Sequence, residues 1–136
     1  PVLQLSMDIA LSSKQRFDIG RQLAALRDEG VLIIASGNIV HNLGTMDWNI
    51  KSEPYPWCSD FNNYIIKALQ DDEADKILAA ESFGQITGRC HPTPDHFWPL
   101  HYFLGTRQAD DNLKIYTPQV MHKSLSMASF VFNPPS

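Results

Sequence analysis

Cysteine is scarce in this sequence. Cys58 and Cys90 are the two present, and they lack the CxxC spacing of zinc ribbons and redox motifs. Two isolated cysteines exclude a disulfide-rich secreted scaffold and favour free thiols in a reducing compartment. A disulfide between the two remains the alternative on sequence grounds. We therefore expect a cytoplasmic protein.

Excess basic charge and long apolar runs are also lacking. The 136 residues carry 11 Lys and Arg against 15 Asp and Glu, a formal net charge of −4. This balance offers no electrostatic footprint for nucleic acid or an anionic membrane, so we expect neither partner. No apolar run approaches the roughly 18 residues of a membrane span, and we expect no signal peptide. The sequence shows no internal repeat, P-loop or GxGxxG motif.

The remaining composition is ordinary, with 43% hydrophobic and 19% charged residues. These values are typical of a globular chain, and the length suits one domain or part of one. Residues 1–7 already have a strand-like pattern and no initiator Met. We therefore expect a piece of a longer protein.

The first third of the chain predicts the fold class. Residues 2–7 alternate in part and indicate a strand, and residues 14–29 indicate a helix that Ser12 or Ser13 can cap. Residues 31–35 form a continuous apolar run, typical of a central strand covered on both faces. Strand, helix and strand in this order predict a right-handed βαβ unit and an α/β fold.

The rest of the chain supplies further elements. In order, the patterns predict a helix capped by Ser59 or Asp60 and running through Leu69, a helix over 73–83, a linker over 84–89, a helix ending at Gly105, and strands over 113–116 and 124–132.

A polar loop at residues 36–43 follows the apolar run. In open α/β sheets, ligands bind beyond the carboxyl ends of the strands, which is where this loop falls. Gly37 allows a tight turn or a close backbone approach, and Asn38, His41 and Asn42 supply hydrogen-bonding groups. A lone loop histidine is more often a surface or capping residue, so position alone leaves the role of His41 open.

Residues 91–102 hold three of the five histidines, interleaved with prolines and aromatics. Imidazole is the commonest metal ligand and titrates near neutral pH, so the cluster indicates a metal or acid/base role. On a helix, His91, His96 and His101 would lie about 140° apart in turn, so they cannot share one face. The alternative is that they cap and pack a loop.

The start of the helix in this stretch has two interpretations. Thr93 is a good N-cap and Pro94 a good first residue, which would place His96 in the first turn. Pro99 would then remove a backbone hydrogen bond from the helix. In the second interpretation, the helix begins later and His96 lies on the loop before it.

Four segments together resemble a known family, in the right order and across essentially the whole chain. They are residues 36–43 (Ser-Gly-Asn-Ile-Val-His-Asn-Leu), 54–57 (Pro-Tyr-Pro-Trp), 91–97 (His-Pro-Thr-Pro-Asp-His-Phe) and 124–127 (Ser-Leu-Ser-Met). The family is the LigB-type class III extradiol ring-cleavage dioxygenases, in the branch that acts on DOPA-like catechols. The resemblance implies a three-layer α/β fold with a mixed, largely parallel central sheet. It also implies that residues 1–136 are the C-terminal half of the catalytic domain, without two metal-binding histidines of the N-terminal half.

The resemblance assigns roles to single residues. His41 matches the histidine of the Ser-Gly-Asn-x-Val-His-Asn-Leu motif, which faces the metal centre as an acid/base or as a metal contact. His96 matches the second histidine of the Pro-Thr-Pro-Asp/Glu-His motif, a metal-site residue. His91 precedes that motif and receives no role. Asp95 is a candidate carboxylate neighbour, because some relatives use two histidines and one carboxylate.

The implied activity is extradiol cleavage of a catechol by O2 at non-haem Fe(II), with Zn(II) able to occupy the same site without the redox chemistry. The implied partners are a small aromatic catechol and O2, together with a second copy of the chain or the absent N-terminal half. A different reading is a catalytically incomplete metal-binding or structural module. A zinc hydrolase is weaker, since no general-base glutamate stands at a fixed spacing from the histidines.

Overall fold

A computed structural model of the protein describes residues 1–49 and 51–135. Its α-helices are α1 (Ser13–Leu23), α2 (Pro56–Gln70), α3 (Ala74–Ala79), α4 (Gln85–Cys90) and α5 (Trp98–Gly105). Its strands are β1 (Asn112–Tyr116), β2 (Val120–Met121), β3 (Leu125–Ser126) and β4 (Ser129–Asn133). Short 3₁₀ helices occur at Ala24–Arg27, Leu43–Thr45, Ala80–Ser82 and Pro94–His96.

Helix α1 begins as the sequence predicts. Ser12 is the N-cap, and its side chain accepts a hydrogen bond from the Gln15 backbone while the Gln15 side chain accepts one from the Ser12 backbone. This capping box satisfies two amide groups that would otherwise lack partners. The α-helix predicted over 14–29 ends at Leu23 and continues as the 3₁₀ turn Ala24–Arg27. In this turn, Arg27 forms a bidentate ion pair with Asp111, with N···O distances of 2.5 and 2.6 Å.

Helices α1 and α5 cross at two glycines. A Cβ on Gly20 would overlap the carbonyl of Tyr102, and a Cβ on Gly105 would overlap the carbonyl of Phe17. Only hydrogen fits between the two backbones, which lets the helices approach more closely than side chains would permit. This crossing fixes the position of α5, whose N-terminal end follows directly on the 3₁₀ turn that carries His96.

Helix α2 supplies much of the core but begins earlier than predicted. It starts at Pro56, with Tyr55 as N-cap, so the prediction that Ser59 or Asp60 caps it is wrong. The reason is that proline in the first helical turn needs no hydrogen-bond acceptor for its nitrogen. Its inward face buries Phe61, Ile65 and Leu69, along with Cys58 and Ala68. Each large side chain of this kind stabilises the fold by roughly 1.5–3 kcal/mol on burial.

Three later predictions need correction or refinement. Residues 84–89, predicted as a linker, lie largely in helix α4. The strand predicted over 124–132 is divided into β3 and β4, because residues 127 and 128 lie between two different pairings. The helix predicted over 73–83 is present as α3 followed by the 3₁₀ turn Ala80–Ser82.

The strand pairings in the described ranges are antiparallel. Strand β1 pairs with β4, in the register Leu113↔Phe132 and Ile115↔Phe130, and β2 pairs with β3. The protein thus combines helices with small antiparallel sheets, which agrees with a mixed α/β class but not with the predicted parallel sheet. Phe103 of α5 stacks on Phe132 with ring centroids 4.2 Å apart, so α5 covers one face of the β1–β4 pair.

The strands predicted over 2–7 and 31–35 do not form. Neither segment pairs with another strand among the residues that the structure describes. Their apolar side chains face solvent instead, with Val2 97%, Leu3 94%, Leu32 81% and Ile34 79% exposed. An apolar pattern favours burial in a sheet, but a ladder also requires a neighbouring strand to complete its backbone hydrogen bonds. The described chain provides no such neighbour here.

Residues 31–35 and strand β4 line a common cavity of about 560 Å³, with Phe103 also in its wall. A second cavity of about 300 Å³ shares part of this lining and reaches His96. The two cavities lie between residues 31–35 and strand β4, and the smaller one extends to His96. Among the described helices, none is long and apolar enough to cross a membrane.

The glycine crossing generates a stability prediction. We expect Gly20→Ala and Gly105→Ala each to lower the free energy of unfolding by about 1–3 kcal/mol, because the added methyl group overlaps a backbone carbonyl. Urea unfolding followed by circular dichroism measures the change. Gly88→Ala in α4 is the matched control, since its Cβ would meet nothing within 4 Å. We expect it to be neutral or stabilising by up to about 1 kcal/mol. Equal stability of all three variants would show that α1 and α5 do not cross this closely.

Candidate functional site

The backbone around His41 is fixed from both sides. On one side, the His41 amide donates to the carbonyl of Cys90 at 2.9 Å. On the other, the Ser126 amide donates to the Val40 carbonyl at 3.0 Å, and His41 forms an isolated antiparallel bridge with Leu125. The segment therefore lies between the end of α4 and the β2–β3 hairpin.

Two asparagines of the polar loop hold the same segment through their side-chain amides. Asn38 Nδ2 donates to the Ser126 carbonyl at 2.7 Å, and Asn42 Nδ2 donates to the Arg89 carbonyl at 2.7 Å. The Ser124 hydroxyl in turn donates to the Asn42 carbonyl at 2.7 Å. The hydrogen-bonding groups that the sequence placed in this loop thus have structural partners.

His96 belongs to the 3₁₀ helix Pro94–His96, which precedes α5. The interpretation in which the helix begins after His96 is therefore the right one. The Asn38 amide donates to the His96 carbonyl at 2.7 Å. Gly37 lies against the same carbonyl, and a Cβ at this position would overlap it. Of the two roles that the sequence allowed for Gly37, a tight turn or a close backbone approach, the structure shows the close approach.

These contacts bring the imidazoles of His41 and His96 together. Their ring centroids lie 3.7 Å apart with an interplanar angle of 26°, a stacked arrangement. Asp95 completes the group, with its Oδ2 3.6 Å from His96 Nε2. The structure therefore unites residues from two sequence motifs more than fifty positions apart.

The surroundings of the pair favour neutral imidazole on His41. Burial lowers the pKa of His41, the neighbouring His96 lowers it further, and Asp95 opposes both effects. A hydrogen bond from the Thr93 side chain lowers the pKa of Asp95, and His96 lowers it further, so this carboxyl is ionised at neutral pH. A neutral imidazole can accept a proton or bind a metal ion, whereas an imidazolium can do neither.

The other histidines do not join this pair. His91 and His101 are buried, 3% and 0% exposed, and pack against Phe97 with ring centroids at 4.7 and 5.2 Å. The ring nitrogens of His101 have no hydrogen-bond partner among the described residues, whereas the His91 ring lies close to backbone groups of Asn38 and Ile39. His122 lies in the β2–β3 turn, with Nδ1 2.9 Å from the Asp47 carbonyl.

The donor atoms of His41, His96 and Asp95 indicate whether the pair could bind a metal ion. Two imidazoles and a carboxylate are the donor types that Fe(II) and Zn(II) accept in proteins. However, the ranges that the structure describes contain no group of three or more His, Cys, Asp or Glu placed to hold a metal ion. The donors of this pair therefore fit a metal ion in kind but, among the described residues, not in number.

Sequence reasoning missed the buried polar residues that support the site. Asn62 is 1% exposed on the inward face of α2, and its Oδ1 accepts a hydrogen bond from the Ser126 hydroxyl at 2.7 Å. The sequence pattern could have identified Asn62 as buried, because it occupies the same helical face as Ile65 and Leu69. A polar side chain on an apolar face requires a buried partner.

The buried histidines generate a pH prediction. Burial lowers the pKa of His91 to about 4 and that of His101 to about 3, against an ordinary value of 6.5. The unfolded chain therefore takes up protons first as the pH falls below about 6.5, so acid destabilises the fold. We expect a loss of about 1.4 kcal/mol per pH unit for each histidine, or about 4 kcal/mol between pH 7.5 and 5. Urea unfolding across this range measures it.

A pair of variants identifies the groups responsible. His101→Phe removes one buried titrating ring and is expected to reduce the loss of stability between pH 7.5 and 5 by about 2 kcal/mol. Ile77→Val, a buried substitution that removes no titrating group, is the control and is expected to leave the slope unchanged. A stability that stays constant between pH 7.5 and 5 would contradict the burial of unpartnered rings.

Comparison with known proteins supports the interpretation of these motifs. Residues 1–133 match the family model for the catalytic LigB subunit of aromatic ring-opening dioxygenase. The chain is 40% identical over 131 residues to the Escherichia coli (strain K12) protein named 4,5-DOPA dioxygenase extradiol, which covers 95% of this chain and 48% of that protein. A Beta vulgaris protein of the same name is 34% identical over 125 residues, covering 91% of this chain and 44% of the relative.

A solved structure has a similar fold. The crystal structure of an uncharacterized protein from Escherichia coli K12 superimposes with a TM-score of 0.80 at 36% identity, over 92% of this chain and 52% of that chain. The chain thus spans about half the length of the relatives it matches. The family match extends over nearly all 136 residues and includes both histidine motifs, and the chain belongs to the LigB family of aromatic ring-opening dioxygenases.

Proposed function

We propose that residues 1–136 are the C-terminal half of the catalytic domain of an extradiol dioxygenase, which cleaves the ring of a DOPA-like catechol with O2. The observation that carries the proposal is the stacked pair of His41 and His96, formed where the two family motifs converge. The names of the relatives support the substrate class, since they are called 4,5-DOPA dioxygenase extradiol.

In this proposal His96 is a metal ligand, and His41 is the acid/base or a second ligand. Fe(II), when bound, would supply electron transfer between the catechol and dioxygen. The lowered pKa of His41 keeps its imidazole neutral at physiological pH, so it can take the proton of a catechol hydroxyl and return it later. Zn(II) would suit the same nitrogen donors without supporting the redox chemistry.

The proposal extends to the fold of the whole protein. We propose that residues 2–7 and 31–35 are strands of a three-layer, largely parallel sheet whose other strands come from an N-terminal half. The exposed apolar side chains of both segments support this, as does the cavity between residues 31–35 and β4. An unpaired sheet edge with apolar faces favours association. Because the chain spans about half the length of the relatives it matches, we propose an N-terminal half rather than a second copy as the partner.

A second candidate is a metal-binding or structural module without activity. One observation favours it: within the described residues, no three ligating side chains converge on one point. This candidate agrees with the same fold and the same histidine pair. It differs from the first in catalysis and, for a purely structural module, in metal binding.

We also propose a cytoplasmic location. Cys58 and Cys90 are free and buried in the core, and burial raises the pKa of each thiol to about 12. Such thiols are protonated and unreactive at neutral pH. The absence of a disulfide between them is what supports a reducing compartment.

Complementation tests the function. The chain is co-expressed with the N-terminal half of the Escherichia coli relative, loaded with Fe(II) under anaerobic conditions, and assayed with L-DOPA for oxygen uptake. We expect stoichiometric iron and oxygen consumption with formation of the ring-opened product. A stable complex that binds iron but consumes no oxygen would favour the inactive module, and a complex without iron would exclude the metal site.

Single substitutions in that complex separate the histidine roles. His41→Ala is expected to lower turnover by about 10²–10⁴-fold while sparing most of the iron, if His41 acts as acid/base. His96→Ala is expected to lose the iron. Metal analysis and oxygen uptake are measured on each variant, with His122→Ala as the control outside the pair. Iron loss in His41→Ala would instead make His41 a ligand.

A further inference from the structure

We propose that Asn62 is a positioning residue that aligns His41 with His96, acting through Ser126. The alignment of the two rings is a structural property, but its value for catalysis rests on the function proposed above. Neither asparagine nor serine would touch substrate or metal in this role. Their effect is transmitted through backbone hydrogen bonds.

Both polar atoms of the Asn62 side-chain amide form hydrogen bonds within the core. Its Oδ1 accepts from the Ser126 hydroxyl at 2.7 Å, and its Nδ2 donates to the carbonyl of Pro118 at 3.0 Å. Asn62 and Ser126 are each 1% exposed. Hydrogen bonds in such surroundings are strong and directional, because water does not compete for the same groups. The amide therefore fixes Ser126 relative to helix α2.

Ser126 in turn holds the segment that leads to His41. Its backbone amide donates to the Val40 carbonyl at 3.0 Å, and its carbonyl accepts from Asn38 Nδ2 at 2.7 Å. Ser126 thus contacts this segment at two points, on either side of Ile39. A displacement of Ser126 would move the backbone immediately before His41.

The same segment also determines the position of His96. The Asn38 backbone amide donates to the His96 carbonyl at 2.7 Å, beside Gly37, where no side chain would fit. Residues 37–41 therefore position both imidazoles. His41 belongs to this segment, and the His96 backbone is hydrogen-bonded to it through Asn38. At a centroid separation of 3.7 Å the rings are in van der Waals contact, so a small backbone shift changes their stacking.

The simpler explanation is that Asn62 and Ser126 merely satisfy each other in the core. In that case, removing either would lower stability without changing the geometry of the histidine pair. A direct measurement of the distance between the two rings distinguishes the two explanations. A measurement of stability alone does not distinguish them.

The experiment is a nuclear Overhauser measurement between the imidazole ring protons of His41 and His96 in the 136-residue chain at pH 8. Four variants are compared: Asn62→Ala, Ser126→Ala, Asn63→Ala and Ile77→Val. Asn63 is the matched control, an exposed asparagine next to Asn62 on the same helix. Ile77 is buried in α3 outside this hydrogen-bond network, and its variant controls for stability loss alone.

We expect the cross peak between the two rings to weaken several-fold or vanish in Asn62→Ala and Ser126→Ala, and to persist in both controls. A cross peak retained in a folded Asn62→Ala or Ser126→Ala would overturn the proposal. So would its loss in Ile77→Val. If Asn62→Ala does not fold, Ser126→Ala decides, because it removes one hydroxyl only. Failure of both to fold would also count against a positioning role.

This measurement uses no metal, oxygen or catechol. Its outcome is therefore independent of the complementation assay. A positive result with an inactive complex would leave Asn62 as a positioning residue of a catalytically incomplete site, and a negative result would leave the dioxygenase assignment untouched.

Discussion

The backbone contact between Asn38 and His96 is the constraint on which the site depends. It joins the polar loop after residue 35 to the 3₁₀ turn before α5, and Gly37 makes it sterically feasible. The stacking of His41 and His96 follows from this junction, because one ring is carried by the loop and the other by the turn. A single close approach of two backbones thus brings together residues that are far apart in the chain.

The surrounding structure is arranged to keep that junction in place. On one side, α5 is held against α1 by the glycine crossing at Gly20 and Gly105. On the other, the β2–β3 hairpin is tied to α2 through Asn62 and to the loop through Ser126. The site is therefore supported by helices and a hairpin rather than by the central sheet that usually carries ligands in α/β folds.

Residues 31–35 and the turn that carries His96 lie beside connected cavities. Residues 31–35 have a strand-like sequence but no strand partner among the described residues. The cavity of about 300 Å³ is lined by residues 34–39 and by His96, so the end of this apolar segment and the histidine turn share one region of the molecule. A segment that paired with residues 31–35 would therefore lie near His96.

The sequence by itself determined the elements whose signals are local. The cap of α1 at Ser12 or Ser13, the existence of helix α2 and the strand β1 were predicted because periodicity and caps act within a few residues. The motifs also identified the family and nominated His41 and His96. Tertiary structure alone decided that these rings stack, that Asn62 accepts a hydrogen bond from Ser126 in the core, and that residues 2–7 and 31–35 have no strand partner among the described residues. Those outcomes depend on contacts between distant segments, and a strand needs a neighbour that no local pattern can supply.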